Sequence, residues 1–422
     1  MHTPGFLHVH RLLGRLQKFF KTDIRYLLKG TALLSIGQVF AAISGFILTV
    51  GLARVLDQAE YGQYAYILSL AGIVGMFTHS GMDTAVAQAV AKGFDRSLLF
   101  GFWSKVKWSI PIAIITMCAG GYYLFKDNEI LGYSLLVSGF TTPLFAGASL
   151  YGAYFNGKKL FKKIAYDNAL KNIAIATSIL LTAYITQDVL YVVCAYFFSS
   201  TLISALRFYF LAKNIPSQSE SDELTKSNLV TGKHLSFMEL LGNISIYVDK
   251  IIVFQLLGAT SLALYSLALA PTKQLQSVSR IMRALALPKF STRTAHELKH
   301  AMRHKILIFF LGAFLITFLY CIVAQFLFVI IFPQYEEALL YSQILSLSLL
   351  LMPSILHVQA LTALNQKKAL YVSSIVKSVT KIGLIFILIP LFGIWGAILA
   401  FLLSQLANSI TVYLYFQKMK DW

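Results

Sequence analysis

The chain has 422 residues, of which 57% are hydrophobic and only 13% are charged, and its mean hydropathy is +0.68. A water-soluble protein of this length could not bury so much apolar surface, so the composition excludes that class. The formal net charge of +18 is explained by basic loops that face anionic lipid headgroups, and no nucleic-acid partner is expected.

The hydrophobic stretches predict about twelve transmembrane helices, because a span needs roughly 20 apolar residues. In chain order they are placed at residues 30–53, 63–90, 106–125, 131–155, 165–186, 189–211, 235–257, 261–287, 305–332, 338–363, 370–390 and 394–416. These spans use nearly all of the sequence, which leaves little for a catalytic domain outside the membrane.

Basic residues are concentrated in every second gap between these stretches. The leader before residue 30 and the gap at 158–163 are rich in Lys and Arg, whereas the gaps at 186–188 and 258–261 have none. Basic loops stay in the cytoplasm and weakly charged loops cross the membrane. The alternation therefore predicts an all-α integral membrane protein with both termini in the cytoplasm.

A polar stretch at Asn214–Thr231 divides the chain into halves of six predicted spans each. The predicted organisation has five parts: a basic cytoplasmic leader at 1–29, an N-terminal six-helix lobe at 30–212, a cytoplasmic linker at 213–232, a C-terminal six-helix lobe at 233–417 and a cytoplasmic tail at 418–422. Leu and Phe residues in the leader have helical spacing, so an amphipathic surface helix and a solvated tail both fit it.

The two halves also resemble each other in sequence. Val55–Tyr66 aligns without gaps with Leu256–Leu267, and Asn156–Lys159 aligns with Asn365–Lys368, each at the corresponding loop of its half. Because six is even, two duplicated halves would have the same orientation and be related by a pseudo-twofold axis along the membrane normal. Two such lobes around a cavity are a common plan for transporters.

Three segments resemble a known family. LARVLDQAEYGQYAYILSL (Leu52–Leu70) resembles the first outward loop of polysaccharide transporters. NISIYVDKIIVFQLLGATSLALYSLALAPTKQL (Asn243–Leu275) and ALNQKKALYVSSIVKSVTKIGLIFILIPLFGIWGAILAFLLSQ (Ala363–Gln405) resemble their seventh and eighth helices and their closing helix pair. These are the O-antigen, capsule and exopolysaccharide flippases of the multidrug/oligosaccharidyl-lipid/polysaccharide exporter superfamily, and the resemblance extends from about residue 30 onward.

The resemblance implies a function. The chain would move undecaprenyl-diphosphate-linked oligosaccharide from the inner to the outer leaflet of the bacterial cytoplasmic membrane by alternating access. Membrane lipid and a polysaccharide polymerase or other assembly proteins are the implied partners, and a monomer without cofactor or metal is expected. One position departs from the family pattern, because Gln88 lies near the place where relatives often carry an Arg.

Ionisable residues inside the predicted spans are the candidates for substrate contact, because such groups usually face a cavity or a partner. Lysine and arginine would offset the charge of a diphosphate, and amides would bind sugar hydroxyls. The predicted substrate-contacting residues are Lys273, Arg280, Lys250, Gln276, Asn243, Gln38, Lys381 and Arg54. Structural alternatives remain open: Arg280 could extend to the cytoplasmic surface, Arg54 could be an interfacial anchor, and Lys381 could pair with an unidentified acid.

The acidic candidates have two interpretations. Asp249 could take part in ion coupling, or it could pair with a nearby cation and hold helices together. His79 and Asp83 lie four residues apart on the second span, where a buried pair could carry a coupling proton or bridge helices. Asp167 and Lys171 have the same spacing, for which an intrahelical ion pair is the favoured interpretation.

Three other functions are considered. A lipid II flippase fits nearly as well. A multidrug or cation antiporter of the extrusion type would need an anionic cavity, whereas the predicted spans contain more cations than acids. A membrane enzyme would need a large extramembrane loop, and the sequence has neither such a loop nor a P-loop motif. The chain is therefore predicted not to be an enzyme.

Overall fold

The computed structural model describes residues 24–78, 81–215, 244–290, 295–364 and 366–418. Within these ranges the side chains of 24–36, 277–289, 295–296, 299–301 and 303–304 are not described. The α-helices are α1 (Ile24–Val55), α2 (Gln58–Phe77), α3 (Met82–Ala91), α4 (Ser97–Phe125), α5 (Glu129–Ala148), α6 (Tyr151–Gly157), α7 (Phe161–Thr186), α8 (Val189–Ala212), α9 (Ser245–Phe290), α10 (Ala295–Ile331), α11 (Ala338–Ser346), α12 (Ser354–Ala363), α13 (Lys367–Phe392) and α14 (Ile394–Gln417). Short 3₁₀ helices occupy Pro333–Tyr335 and Leu347–Leu351.

The helices are long and apolar, as the composition predicts. In the described part of the chain, nine helices can cross a membrane, or up to eleven if each bent helix pair counts as one span. The predicted number of twelve is thus not confirmed. One reason is that predicted spans seven and eight form the single run α9, which is interrupted only at Gly258, where φ is 85° and ψ is −179°. Glycine adopts this backbone conformation without the steric cost that other residues incur.

Two predicted spans are broken rather than straight. The span predicted at 63–90 consists of α2 and α3, which are bent by 52° relative to each other. The span predicted at 338–363 consists of α11, the second 3₁₀ helix and α12, with a bend of 40°. Each break leaves some backbone groups without helical partners, which is tolerated at membrane depth where protein or a water-filled cavity surrounds them.

The connections alternate between two faces of the molecule. We name the face that carries the turns near residues 57, 127, 188, 258, 335 and 393 the distal face, and the opposite face the proximal face. At the distal face Asp57, Asn128 and Asp188 cap α2, α5 and α8 by accepting hydrogen bonds from backbone N–H groups of the first helical turn. Capping explains why an acidic or amide residue directly precedes each of these three helices.

The helices form two lobes, the N-terminal lobe (α1–α8) and the C-terminal lobe (α9–α14). At the distal face, one apolar core contains residues of both lobes, among them Leu56, Tyr61, Val253 and Phe332. Toward the proximal face, the apolar clusters in the described residues each belong to one lobe, around Val86 in the first and around Phe290 in the second. The lobes are therefore packed together distally.

Candidate functional site

A buried ion pair in the C-terminal lobe joins α9 to α13. The Nζ atom of Lys381 lies 2.6 Å from Oδ2 of Asp249, and their side chains are 6% and 1% exposed. Lys381 also donates a hydrogen bond to the backbone carbonyl of Ser245, at 2.7 Å. The hydroxyl of Tyr265, on the second segment of α9, donates to the same carboxylate at 3.1 Å. These bonds compensate for the removal of both charges from water.

Two further lysines lie beside this pair. Lys250 is half-buried and Lys273 is exposed, and both interact electrostatically with Asp249. Lys273 also interacts electrostatically with Lys250 and Lys381, which places the charged residues of α9 and α13 near one another. One carboxylate thus lies among three ammonium groups. The group has a net positive charge and suits an anionic ligand.

Polar residues continue along α9 to the junction of the lobes. Gln276 donates a hydrogen bond to the hydroxyl of Ser348 at 3.0 Å. Gln274 lies against Gly45 of α1, since a Cβ atom added there would be 3.5 Å from the amide nitrogen of Gln274. Gln38 is half-buried and precedes Gly45 by two helical turns, so it lies on the same side of α1.

The N-terminal lobe contains a different ion pair. The Nζ atom of Lys105 lies 2.7 Å from Oδ2 of Asp83; the lysine side chain is 4% exposed and the aspartate side chain 43% exposed. The predicted spans leave Lys105 in the loop before the span that starts at residue 106. Because α4 begins at Ser97, Lys105 instead lies two turns inside a helix. The pairing of Asp83 with His79 stays a prediction, because His79 lies outside the described residues.

The Asp83–Lys105 pair borders a cavity of about 390 Å³ between α2, α4, α5 and α8. Its polar lining consists mostly of hydroxyl groups, including those of Ser138, Thr141 and Thr142. A more open cavity of about 540 Å³ continues from it toward α6 and shares Asp83 and Ser149. The first of the two cavities offers hydrogen bonds rather than net charge.

A second polar cluster lies where α7 and α8 pack together. Arg207 forms an ion pair with Asp167 at 2.7 Å, and Lys171 donates to the hydroxyl of Ser204 at 3.2 Å. The predicted intrahelical pair between Asp167 and Lys171 is therefore replaced by a pair between two helices. The sequence does not single out Arg207, which lies near the end of the span predicted at 189–211, and only tertiary packing brings it to residue 167, 40 positions away.

The distal face is closed by contacts between the lobes. Arg54 donates to the backbone carbonyls of Ile330 and Ile331 at 2.8 and 3.1 Å. The Tyr66 ring stacks on Phe254 with a centroid distance of 3.8 Å. A Cβ atom at Gly62 would overlap with the carbonyl group of Ala259, so this close approach of α2 to α9 requires glycine.

A family model described as polysaccharide biosynthesis protein matches residues 27–294, more than half of the chain. The chain belongs to this family. As a member of the polysaccharide biosynthesis protein family with many apolar helices, it is a multi-pass membrane protein.

The chain is also similar to individual proteins in sequence or in fold. Stage V sporulation protein B of Bacillus subtilis (strain 168) is 24% identical to this chain over an alignment 423 residues long. The alignment covers 88% of this chain and 80% of the relative. A multidrug resistance transporter of the MATE family and the MOP superfamily, in an outward-facing conformation, superposes with a TM-score of 0.64 at 13% identity and covers 93% of this chain and 94% of its own. The lipid II flippase MurJ, in an inward closed conformation, superposes with a TM-score of 0.64 at 14% identity. This match covers 92% of this chain and 88% of MurJ. The expected two-lobed superfamily fold is confirmed.

The structure brings together some predicted site residues and separates others. Lys250, Lys273, Lys381 and Asp249 form one group, and Asp249 is the acid that the sequence could not assign to Lys381. Arg54 lies apart from them at the distal closure. Of the other candidates, Asn243 lies outside the described residues, and the side chain of Arg280 is not described.

Proposed function

We propose that this protein is a flippase that moves undecaprenyl-diphosphate-linked oligosaccharide, an O-antigen, capsule or exopolysaccharide repeat unit, across the bacterial cytoplasmic membrane. The chain acts as a transporter rather than an enzyme, and both termini lie in the cytoplasm, on the proximal side. Membership of the polysaccharide biosynthesis protein family supports this proposal, as does the fold shared with MOP superfamily transporters.

The observation that carries the proposal is the position of Lys273. It is exposed and belongs to a group in which Lys381 pairs with Asp249 and both Lys250 and Lys273 interact electrostatically with the same carboxylate. Charges at bilayer depth are costly unless they serve a partner. A diphosphate entering between the lobes would supply the missing negative charge, with the lysines acting as point charges toward its oxygens.

Closure of the distal face fits alternating access. With Arg54 and Tyr66 holding the lobes together distally, a headgroup would enter from the proximal side while its lipid tail stays in the bilayer. Rocking of the lobes would then open the distal side. Shielding the sugars is the physical requirement, because each unpaired buried hydroxyl costs about 1–3 kcal/mol.

Complementation of a flippase-deficient, polysaccharide-producing bacterium tests the proposal. The wild-type chain, Lys273→Ala and Lys126→Ala are compared at matched membrane levels; Lys126 is an exposed lysine at the distal end of α4 and serves as the control. Wild type and Lys126→Ala should restore surface polysaccharide, whereas Lys273→Ala should restore at least about tenfold less of it. The reason is that this variant removes one close charge contact, which contributes about 1.4 kcal/mol or more. Equal activity of all three would refute the cationic site.

Two alternatives share the fold. The similarity to the lipid II flippase MurJ makes lipid II a second candidate substrate, and restored growth of a strain lacking its lipid II flippase would identify it. The similarity to a multidrug transporter makes drug export a third candidate. The net positive group around Lys273 disfavours cationic drugs. If the chain confers resistance to such drugs but does not export polysaccharide, drug export becomes the favoured function.

A further inference from the structure

The N-terminal lobe contains a cavity that the cationic group of the C-terminal lobe does not explain. Its volume of about 390 Å³ lies within the usual range for ligand sites, about 300–1,000 Å³. The ionised residues of its lining are Asp83 and Lys105, which neutralise each other in an ion pair. The site therefore suits a ligand without net charge.

The hydroxyl groups of the cavity mainly offer acceptors. Thr141, Thr142 and Ser149 each donate their hydroxyl hydrogen to a backbone carbonyl of their own helix region, at 2.7–2.8 Å. A hydroxyl that donates in this way keeps lone pairs that can accept. Asp83 adds a carboxylate that is 43% exposed. The lining thus matches a ligand rich in donors.

One lining group lacks a partner. The Oγ atom of Ser138 is buried and makes no hydrogen bond, and the Ser138 residue is only 1% exposed. A buried hydroxyl without a partner costs free energy. A hydroxyl of a ligand bound in the cavity would satisfy it, either as donor or as acceptor.

Aromatic rings complete the cavity, and one of them comes from the other lobe. Phe145, Tyr196 and Phe197 belong to the N-terminal lobe, whereas Tyr247 lies on α9. The Tyr247 ring packs directly on Gly72, where a Cβ atom would collide with it. Because Tyr247 lies at the boundary between the lobes, the complete lining exists only while the lobes are together at this position.

We propose that this cavity binds a sugar ring of the transported glycan, while the lysine group of the C-terminal lobe binds the diphosphate. The proposal rests on the proposed function and names the second half of the substrate site. A sugar has many donor hydroxyls, no charge and apolar C–H faces that pack on aromatic rings, which are the properties of this lining. Tyr247 links occupancy of the cavity to the arrangement of the lobes.

Binding measurements on the purified full-length chain test this proposal. The ligands are undecaprenyl diphosphate without sugar and the same lipid carrying one hexose, one N-acetylhexosamine or one 6-deoxyhexose. We expect wild type to bind at least one sugar-bearing lipid about tenfold more tightly than the bare lipid, as one or two added hydrogen bonds would give. The double variant Ser138→Ala/Thr142→Val should lose this tenfold difference and keep its affinity for the bare lipid.

The control is Ser109→Ala. Ser109 is a buried serine of α4 whose hydroxyl bonds to the backbone carbonyl of Lys105, and it does not line the cavity; this variant should keep the tenfold difference. Affinity for the bare lipid reports whether each variant is folded, and Thr142→Val alone replaces the double variant if that affinity falls. If wild type binds all four lipids equally, or if the cavity variants keep the difference, the sugar site is refuted. If wild type binds none of them, the proposed function itself fails.

Discussion

The two lobes contain charged residues in different arrangements. In the C-terminal lobe, one buried carboxylate is shared by a lysine and a tyrosine and lies among further lysines, so the region is cationic. In the N-terminal lobe, Asp83 pairs with Lys105 at the edge of a cavity lined by hydroxyls, and Asp167 pairs with Arg207 elsewhere. The group around Asp249 thus offers positive charge and the N-terminal cavity offers hydrogen bonds, a division that suits a ligand with an anionic end and a neutral polar end.

The difference between the lobes can be shown for one lysine in each half of the predicted repeat. Lys171 and Lys381 lie on the fifth predicted span of their halves, one position out of register in the alignment of 156–159 with 365–368. Lys381 contacts the carboxylate of Asp249, whereas Lys171 donates to the hydroxyl of Ser204. A lysine on the fifth span of each half therefore hydrogen-bonds to a carboxylate in one half and to a hydroxyl in the other.

The largest expected effect follows from removing the buried carboxylate. Asp249→Ala would leave Lys381 buried without its charged partner, and the loss of one member of a buried pair costs about 3–5 kcal/mol of stability. Thermal unfolding of the purified protein measures it. The double variant Asp249→Ala/Lys381→Met removes both charges and should recover most of the stability; a stable single variant would contradict the role of the pair.

An intermediate effect is expected at the contact between the lobes. Gly62→Ala introduces a Cβ that overlaps with Ala259, and such overpacking costs about 1–3 kcal/mol. Because the contact exists only when the distal face is closed, the cost should shift the population toward open lobes. Distances between spin labels across the distal face measure this shift.

The control for Gly62→Ala is on the same helix. Gly75→Ala adds a methyl group where no atom lies within 4 Å, so it should leave the label distances unchanged. If both variants give the wild-type distance distribution, the close approach of α2 to α9 does not control closure.

The smallest effect is expected in the N-terminal lobe. Asp167→Ala removes the pair with Arg207, whose side chains are 18% and 17% exposed. Arg207 keeps the backbone carbonyl of residue 167 as an acceptor, at 2.9 Å. We expect a loss of about 1 kcal/mol, near the upper end for partly solvated pairs. If Asp167→Ala lowers the stability in the thermal assay as much as Asp249→Ala does, the ion pairs of the two lobes do not differ in their contribution to stability.

Much of the fold could be predicted because apolar length and loop charge are local properties. The turn at Gly258, for example, lies within a predicted gap without basic residues. The breaks in α2–α3 and α11–α12 were missed, because apolar composition does not distinguish a bent span from a straight one. Lys105 was misplaced for a related reason, since a lysine near a span boundary looks the same in a loop and inside a helix.

Within the site, the sequence identified the ionisable residues but not their partners. Asp249 and Lys381 are separated by 132 positions, and only tertiary packing joins them. The cavity around Ser138 could not be predicted at all. Its hydroxyls are spread over several helices, and isolated serines and threonines in membrane helices usually bond to their own backbone.

The contact of Arg54 has a consequence for how this protein can change in sequence. Its guanidinium group bonds to main-chain carbonyls of residues 330 and 331, which every amino acid carries. Substitutions of those two isoleucines by other apolar residues would keep both bonds, so the closure does not constrain their identity. Apolar substitutions at the end of α10 would therefore keep this contact between the lobes, whereas position 54 needs a side chain that can donate hydrogen bonds.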